Sequence, residues 1–250
     1  MTTSEIKRLT SLHVDKFRKE QQCFLVEGPK LLEEILRSSF TVKAIYALPD
    51  WIGEVSSIPK SIEIVKVSPK ELSRISQLKT PNRLVAEVMM TNKLPPKSSQ
   101  NEWTIALDNI NNPGNLGTII RTADWFGIQQ IVCSLNCADI YNPKVIQATM
   151  GSFTRVHVYY TDLKQWISNE TQKTQVYGAD MDGCSVYDTD IPKNGILLIG
   201  SESHGISKNL NPHIAKKIKI PTFGGGAESL NVSIATAVLV AEIKRRLHLG

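Results

Sequence analysis

Short apolar segments alternate with segments of helical apolar spacing along most of this 250-residue chain. Alternation of this kind predicts an α/β fold with a mainly parallel sheet that is covered by helices on both faces. Ligands of such sheets bind where the strands end, at their carboxyl edge. From residue 104 onward, the predicted strands span 104–108, 130–134, 155–160, 175–180, 195–200 and 216–220, and the predicted helices span 115–127, 143–150 and 230–248.

A stretch that contains two prolines interrupts this alternation. Residues 91–102 read TNKLPPKSSQNE and carry no apolar period, and the prolines forbid a helix there. We therefore predict a first domain at 1–92, a linker at 93–102 and a second domain at 103–250. The first domain is expected to be a small α/β sandwich. Its predicted strands span 24–28, 42–48, 62–67 and 85–90, and its predicted helices span 4–20, 29–38 and 69–78.

The positive charge is concentrated in the amino-terminal part of the chain. Residues 1–100 contain 16 Lys and Arg against 11 Asp and Glu, a net of +5, whereas residues 101–250 contain 13 of each. A basic module joined to a neutral one fits a protein that binds an anionic polymer mainly through its first part. A net charge of +5 is also explained if it only keeps the protein soluble, and the charge distribution does not decide between these two interpretations.

Composition disfavours two classes of protein, membrane proteins and disulfide-stabilised secreted proteins. The longest apolar candidate, 232–241, has about half of the ~18 to 20 residues that a membrane span needs, and the first residues lack the apolar core of a secretory signal. We therefore expect a cytoplasmic protein whose cysteines are buried, reduced thiols. Cys133 and Cys137 have no second pair of zinc ligands at a suitable spacing in the sequence, so no metal is expected. The cysteines are Cys23, Cys133, Cys137 and Cys184.

The first candidate loop follows the predicted strand 104–108. Asp108 ends that strand, a polar turn follows, and a helix is predicted to begin near Asn115, with Arg121 outside its apolar stripe. Asn115 and Arg121 are therefore candidates for a ligand site. The alternative is that Asn115 only caps the helix and that Arg121 pairs with Asp124 on the surface.

The second candidate loop follows 195–200, an apolar strand that runs into Gly-Ser-Glu-Ser-His-Gly. Gly200 and Gly205 allow the backbone to approach a ligand closely. Glu202 stands at the tip of the strand, where a carboxylate has few structural duties. A plain turn with an exposed acid explains the same residues.

The third candidate loop carries three glycines at 224–226 and then Ser229, Leu230 and Asn231, where the last helix is predicted to open. In the structural interpretation, Ser229 caps that helix. The loop lacks the Lys-Ser/Thr of a nucleoside-triphosphate loop. No Gly-x-Gly-x-x-Gly follows the first strand of the second domain, which disfavours an ordinary dinucleotide site.

In order, spacing and content, the three loops closely resemble the signature motifs of the SpoU (TrmH) family of RNA 2'-O-methyltransferases, in the SPOUT superfamily. The similarity covers about residues 103–248. The region from the FLVEG segment to the strand 85–90 resembles the family's substrate-binding domain, which is similar to RNA-binding ribosomal proteins. The resemblance implies a deep trefoil knot, S-adenosylmethionine as cofactor, RNA as substrate, and a homodimer in which the interface completes each active site.

By position, the resemblance assigns cofactor contacts to Gly200, Ile220 and Leu230 and makes Arg121 the central catalytic residue. Proposals for the family treat this arginine as a general base. A guanidinium is essentially never neutral in a protein. We therefore favour a clamp, in which Arg121 holds the adjacent phosphate and stabilises the developing 2'-oxyanion.

The remaining catalytic candidates are polar. We expect Asn115, Ser229 and Asn231 to orient the arginine and the ribose through hydrogen bonds, while the proton leaves through phosphate, water or Glu202. His204 is an alternative base, because histidine suits proton transfer near neutral pH. The family motif does not require a histidine there, so we expect a loop or surface role for it.

Two other functional classes stay open. A non-catalytic RNA-binding or ribosome-assembly factor would keep the basic first part and use the second domain only for dimerisation. A small-molecule enzyme on an α/β sheet would leave the basic part unexplained. Within the methyltransferase interpretation, the appended first domain favours ribosomal RNA over transfer RNA as the substrate.

Overall fold

The structure, a computed structural model, describes residues 1–54, 58–91, 102–171, 173–224, 226 and 228–249. The chain divides into two compact units, and each is described by itself. The first unit contains Met1–Asn92 and Asp139–Thr154, and the second contains Lys93–Ala138 and Arg155–Gly250. Residues 93–101 of the predicted linker lie outside the described residues, and the predicted domain boundaries stay predictions.

A four-stranded sheet forms the centre of the first unit; the strand at 63–66 is parallel to the strand at 42–47, and the other neighbours are antiparallel. Its strands are β1 (Cys23–Glu27), β2 (Val42–Ala47), β3 (Glu63–Lys66) and β4 (Leu84–Met89), in the order β1-β4-β2-β3. The helices of this part of the chain are α1 (Thr3–Ser11), α2 (Asp15–Gln21), α3 (Pro29–Leu36), α4 (Pro49–Glu54) and α5 (Pro69–Ile75).

The predicted helix 4–20 is in fact two helices, because the chain is extended at Val14 (φ −102°, ψ 131°). Helix α1 buries Leu9 and α2 buries Arg18. In one straight helix these two residues would lie on opposite faces, since nine residues correspond to about two and a half turns. The break therefore lets both helices turn these side chains inward. Helix α4, which the sequence did not predict, buries Trp51.

A six-stranded sheet forms the centre of the second unit, and all of its neighbouring strands are parallel. The predicted parallel sheet is confirmed. Its strands are β5 (Trp103–Leu107), β6 (Gln130–Ser134), β7 (His157–Thr161), β8 (Val176–Ser185), β9 (Gly195–Ile199) and β10 (Lys216–Lys219), in the order β10-β8-β9-β5-β6-β7. The later helices of the chain are α6 (Pro113–Trp125), α7 (Pro143–Thr149), α8 (Leu163–Glu170) and α9 (Val232–Leu249).

Strand β8 is longer than its predicted span of 175–180, and it pairs with β10 in two pieces. Lys217 pairs with Gly178, and the next residue, Ile218, pairs with Cys184, so that residues 179–183 leave the ladder. A Cβ atom on Gly183 would lie 2.6 Å from the backbone nitrogen of Ile218. Glycine is therefore required at 183 for the backbones of β8 and β10 to pair again after residues 179–183.

The segment that carries α7 packs within the first unit. The buried Arg18 donates from Nη2 to Asp139 Oδ2 at 2.6 Å. Beside it, the rings of Phe24 and Tyr141 have centroids 4.6 Å apart, and Phe153 lies 6.1 Å from Phe24. An ion pair and an aromatic cluster thus hold 139–154 to the amino-terminal part of the chain.

The cysteines were expected to be buried, and three of them are. Cys23, Cys133 and Cys137 are buried, whereas Cys184 is exposed, so the prediction is wrong for Cys184. Gly183 is buried and Cys184 points to the other face, as the alternation of a strand requires. Within the part of the chain that the structure describes, no helix has the length and apolar character to span a bilayer.

Candidate active site

The three candidate loops follow β5, β9 and β10. Strands β5 and β9 are neighbours in the sheet, and β10 lies two positions from β9. Because the strands are parallel, their carboxyl ends share one edge of the sheet, where the loops can meet.

One carboxylate oxygen joins all three loops. Glu202 Oε1 accepts hydrogen bonds from Asn115 Nδ2 at 3.0 Å, from Asn231 Nδ2 at 2.6 Å and from the backbone nitrogen of Val232 at 3.1 Å. Asn231 Nδ2 also donates to Asn115 Oδ1 at 3.0 Å. Among the described residues, Glu202 Oε2 has no hydrogen-bond partner, so one oxygen anchors the loops and the other is available to a ligand.

The first loop places a different asparagine at the helix cap from the one that was expected. Helix α6 begins at Pro113, and the side chain of Asn112 accepts from the backbone nitrogens of Gly114 and Asn115. Proline at the first helical position with asparagine just before it is a favourable helix start. The alternative in which Asn115 only caps the helix is therefore wrong, and its side chain bonds Glu202 instead.

The last helix also begins later than predicted. Helix α9 starts at Val232, and Asn231 Oδ1 accepts from the backbone nitrogen of Ser233 at 3.0 Å, the bond of an N-cap residue. Ser229, which was a candidate cap, lies before this cap and is exposed. Asn231 thus caps α9 with its oxygen and binds Glu202 with its nitrogen.

Arg121 is exposed on α6, and its side chain forms no hydrogen bond or ion pair with another described residue. The alternative interpretation paired Arg121 with Asp124 on the surface. Asp124 binds Arg155 instead, with Asp124 Oδ2 accepting from Arg155 Nη2 at 2.9 Å. The pairing of Arg121 with Asp124 is therefore wrong. The structure joins Asn115, Glu202 and Asn231 but does not bring the guanidinium into hydrogen-bond contact with them.

A cleft of about 580 Å³ lies beside this junction. Its lining includes the three residues expected to contact a cofactor, Gly200, Ile220 and Leu230, and also Glu202 and Ser229. A volume of this size is typical of small-molecule sites. The residues that were predicted separately on the second and third loops therefore share one concave surface.

Gly200 has a structural reason to be glycine. A Cβ atom there would lie 2.1 Å from the carbonyl carbon of Gly205, because the second loop folds back onto β9. Ser201 and Gly205 exchange both backbone hydrogen bonds, at 2.9 and 3.1 Å, and Gly205 has a φ of +63°. The close approach predicted for a ligand is thus occupied by the loop itself, which holds Glu202 at its tip.

Sequence reasoning passed over a second junction, which joins the first and second loops. The carboxylate of Asp108 is 3% exposed, and its Oδ2 accepts from the backbone nitrogen of Ser207 at 2.8 Å. Its Oδ1 accepts from Asn109 Nδ2, also at 2.8 Å, and the backbone nitrogen of Asn109 donates to Ser134 Oγ at 3.0 Å. The signal in the sequence was an Asp-Asn pair directly after an apolar strand; Asn109 has a φ of +57°, a conformation that asparagine tolerates.

Besides Glu202, the cleft lining includes the titratable residues Asp180, His204, Lys219 and Glu228. Asp180 accepts from Lys217 Nζ at 2.6 Å, and this hydrogen bond, together with one from the backbone of Asp182, lowers the pKa of the Asp180 carboxyl. His204 is exposed, and its Nδ1 lies 2.7 Å from Ser203 Oγ. His204 therefore reaches the same surface as Glu202 without sharing its hydrogen bonds.

Known families match both parts of the sequence. The SpoU rRNA methylase family matches residues 102–241, and an MRM3-like substrate binding domain matches residues 3–86. The 23S rRNA (guanosine(2553)-2'-O)-methyltransferase RlmP of Bacillus subtilis is 30% identical over 96% of this chain and 96% of its own length.

Solved structures match the chain over nearly its full length. A TrmH-family protein from Porphyromonas gingivalis has a TM-score of 0.88 at 37% identity, covering 98% of this chain and 99% of its own. An AdoMet-bound rRNA methyltransferase from Sinorhizobium meliloti has a TM-score of 0.88 at 28% identity, covering 99% and 96%. By the extent of the family match and of these relatives, the chain belongs to the SpoU rRNA methylase family.

Proposed function

We propose that this protein transfers a methyl group from S-adenosylmethionine to a ribose 2'-hydroxyl of RNA, with ribosomal RNA favoured over transfer RNA. One observation carries the proposal: Glu202 Oε1 gathers Asn115 and Asn231 beside a cleft of about 580 Å³, in a chain of the SpoU family. The name of the B. subtilis relative specifies 2'-O-methylation of 23S rRNA, which supports both the reaction and the substrate class.

The cleft suits S-adenosylmethionine by its chemistry. Ile220 and Leu230 supply apolar surface for an adenosine, while Glu202 and Glu228 supply negative charge for a ligand that carries a sulfonium and an ammonium group. The structure of the S. meliloti relative contains this cofactor. When bound, S-adenosylmethionine supplies a methyl group that is already activated by the sulfonium.

Arg121 provides the cation of the proposed reaction. A guanidinium donates up to five hydrogen bonds and accepts none, and its planar fork matches a phosphate. Among the described residues, the Arg121 side chain has no partner to displace. We assign it the phosphate beside the target ribose, where it also stabilises negative charge that develops on the 2'-oxygen. The general-base role proposed for the family would require it to lose a proton first.

The neutral side chains of the junction orient the ribose, and Glu202 receives its proton directly or through water. Asn115 and Asn231 are held by the same carboxylate oxygen, so their positions are coupled. Ser229, at the rim of the cleft, adds a hydroxyl that can donate to the sugar or accept from it. Alignment of the hydroxyl with the methyl group is worth at most ~7 to 11 kcal/mol of the barrier.

The finer features of the family belong to the same proposal. We expect the segments that carry Gly200 and Ile220 to thread through one another in a deep trefoil knot. We also expect a homodimer, because Arg121 makes no contact with the Glu202 junction of its own subunit among the described residues and a second subunit can bring the two together. Cytoplasmic localisation and the domains 1–92 and 103–250 stay predictions.

The reaction is tested by incubating the protein with total RNA and methyl-labelled S-adenosylmethionine, followed by alkaline hydrolysis. A methylated 2'-oxygen cannot attack the neighbouring phosphate, so label is expected in alkali-resistant dinucleotides. Label that appears only in mononucleotides would mean base methylation and would contradict the proposal. Isothermal titration with the cofactor distinguishes a methyltransferase from a non-catalytic assembly factor. The assembly factor would give no heat of binding.

A further inference from the structure

Helices α1 and α5 of the first unit enclose an open groove of about 490 Å³. Ile6 and Leu9 of α1 pack in one core cluster with Leu72 and Ile75 of α5, which fixes the two helices side by side. The groove is lined by Ile6, Lys7, Thr10, Ser11 and Arg74. Two cations and two hydroxyls thus line a groove with an apolar floor, outside the site described above.

The acids of these two helices cannot neutralise the groove fully, because both take part in helix capping. Glu5 Oε2 accepts from the backbone nitrogen of Thr2 at 2.8 Å, and Glu71 Oε2 accepts from the backbone nitrogen of Ser68 at 2.8 Å. Each is the third residue of a capping box. The carboxylates are therefore held at the amino-terminal ends of α1 and α5.

The cations of the groove are exposed and available. The side chains of Lys7, Lys70 and Arg74 form no hydrogen bond or ion pair with another described residue. Lys70 and Arg74 are four residues apart on α5, so they share a face of the helix. The lysines of α2 differ, since Lys16 pairs with Glu20 at 3.9 Å and Lys19 pairs with Asp15 at 2.7 Å.

We propose that the groove between α1 and α5 binds the sugar–phosphate backbone of the RNA substrate, with Lys7 and Arg74 on phosphate oxygens and Lys70 close to the same strand. Phosphate contacts of this kind position a nucleic acid without reading its sequence. The hydroxyls of Thr10 and Ser11 donate to the carbonyls of Ile6 and Arg8, at 2.7 and 2.6 Å, and only line the groove. This inference rests on the proposed function, and it names the surface of the first unit through which RNA is held.

The test compares two double variants that remove the same charge. Lys7→Ala/Arg74→Ala removes two cations from the groove, and Lys16→Ala/Lys19→Ala removes two from α2. Binding of a fluorescein-labelled single-stranded RNA of mixed sequence is followed by anisotropy over a range of salt concentrations. Each phosphate contact contributes about 0.7 to the slope of log affinity against log salt. The groove variant is expected to lose about 1.4 from the slope and about tenfold in affinity at low salt.

The control variant is expected to keep the wild-type slope and affinity. A groove variant that binds like the wild type overturns the inference, and so does a control that loses as much, because then only net charge matters. Methyl transfer by the wild type is measured in parallel. If the wild type binds RNA through the groove and transfers no methyl group, the proposed reaction fails; if it methylates RNA and the groove variant binds normally, the groove alone fails.

Discussion

Two glutamates, one in each unit, show how the same side chain serves different ends. Glu87 of the first unit is 1% exposed and receives two cations, Arg8 at 2.7 Å and Lys43 at 3.2 Å. Glu202 of the second unit is exposed at the cleft, and its partners are three N–H groups without net charge. The buried acid pairs with cations inside the protein, whereas the exposed acid meets no cation among the described residues.

The electrostatics of Glu87 agree with a structural role. Burial alone would raise the pKa of its carboxyl, but the hydrogen bonds and charge of Arg8, together with the charge of Lys43, outweigh burial and hold the pKa below its ordinary value. Arg8 donates to both carboxylate oxygens, at 2.7 and 2.8 Å. The ion pair is therefore bidentate, the geometry in which such pairs are strongest.

The largest expected effect comes from removing the closer cation of the buried Glu87. Arg8→Met leaves the Glu87 carboxylate buried with Lys43 alone and is expected to lower the free energy of unfolding by about 3 kcal/mol. Urea denaturation measures the loss. Lys16→Met, which breaks only an exposed pair, is expected to cost less than about 1 kcal/mol. If Arg8→Met lowers the free energy of unfolding no more than this control does, the ion pair of Arg8 with Glu87 does not stabilise the fold.

A second substitution sharpens the same point. Adding Glu87→Leu to Arg8→Met removes the stranded charge, so the double variant is expected to recover at least half of the lost stability. Additive losses from the two substitutions would show that packing, rather than the charge, accounts for the cost.

The next effect concerns the cation of the proposed site. Arg121→Lys keeps the positive charge and loses the planar fork, so turnover is expected to fall more than ~100-fold, about 2.7 kcal/mol. Labelled methyl transfer to RNA under single-turnover conditions measures it. Arg155→Lys is the matched control on the neighbouring exposed pair with Asp124, where turnover should change little. Turnover near that of the wild type in Arg121→Lys would rule out the clamp.

On cofactor binding, as distinct from its proposed part in proton transfer, a smaller effect is expected from neutralising Glu202. In Glu202→Gln an amide oxygen can still accept from Asn115 and Asn231, so the loops should stay joined while the negative charge at the cleft is lost. We expect S-adenosylmethionine to bind about tenfold more weakly, about 1.4 kcal/mol, by isothermal titration. An unchanged affinity would mean that Glu202 only anchors the loops and does not face the ligand.

The smallest effect is a pH dependence of stability. Because the folded-state pKa of Glu87 is lowered, the stability it contributes is complete above its unfolded pKa of about 4.3 and is lost as pH falls through the folded value. Near neutral pH, Glu87→Gln is expected to be less stable than the wild type by about 1 kcal/mol. The gap should close in acid, as followed by urea denaturation, and a constant gap would assign it to packing.

The order of elements was readable because hydrophobic periodicity is local. The start of α6 was not placed correctly, although Pro113 held the necessary signal, since proline at the first helical position puts the cap at Asn112. The sequence NINNPGN offers four asparagines as caps, and choosing among them decides what Asn115 does. Because Asn112 takes the cap, both the amide oxygen and the amide nitrogen of Asn115 are engaged outside helix α6, with Asn231 and Glu202.

Other features depend on partners that are distant in the chain. Asp108 and Ser207 are joined by a hydrogen bond across 99 positions, and Asp180 meets Lys217 only because β8 and β10 are neighbours. No local pattern pairs such residues. The resemblance to a known family supplied the grouping of Glu202 with Asn115 and Asn231, which spacing alone left as three separate loops.

In the proposed site, three distant loops meet beside one pocket that binds a methyl donor. A crystal structure of the protein with S-adenosylmethionine tests it most directly. We expect the donor in the cleft, its adenosine against Ile220 and Leu230, and its methyl group facing the Glu202 and Asn231 junction, with an Arg121 guanidinium from either subunit nearby. A donor bound elsewhere, or an Arg121 directed away from it in both subunits, would contradict the account.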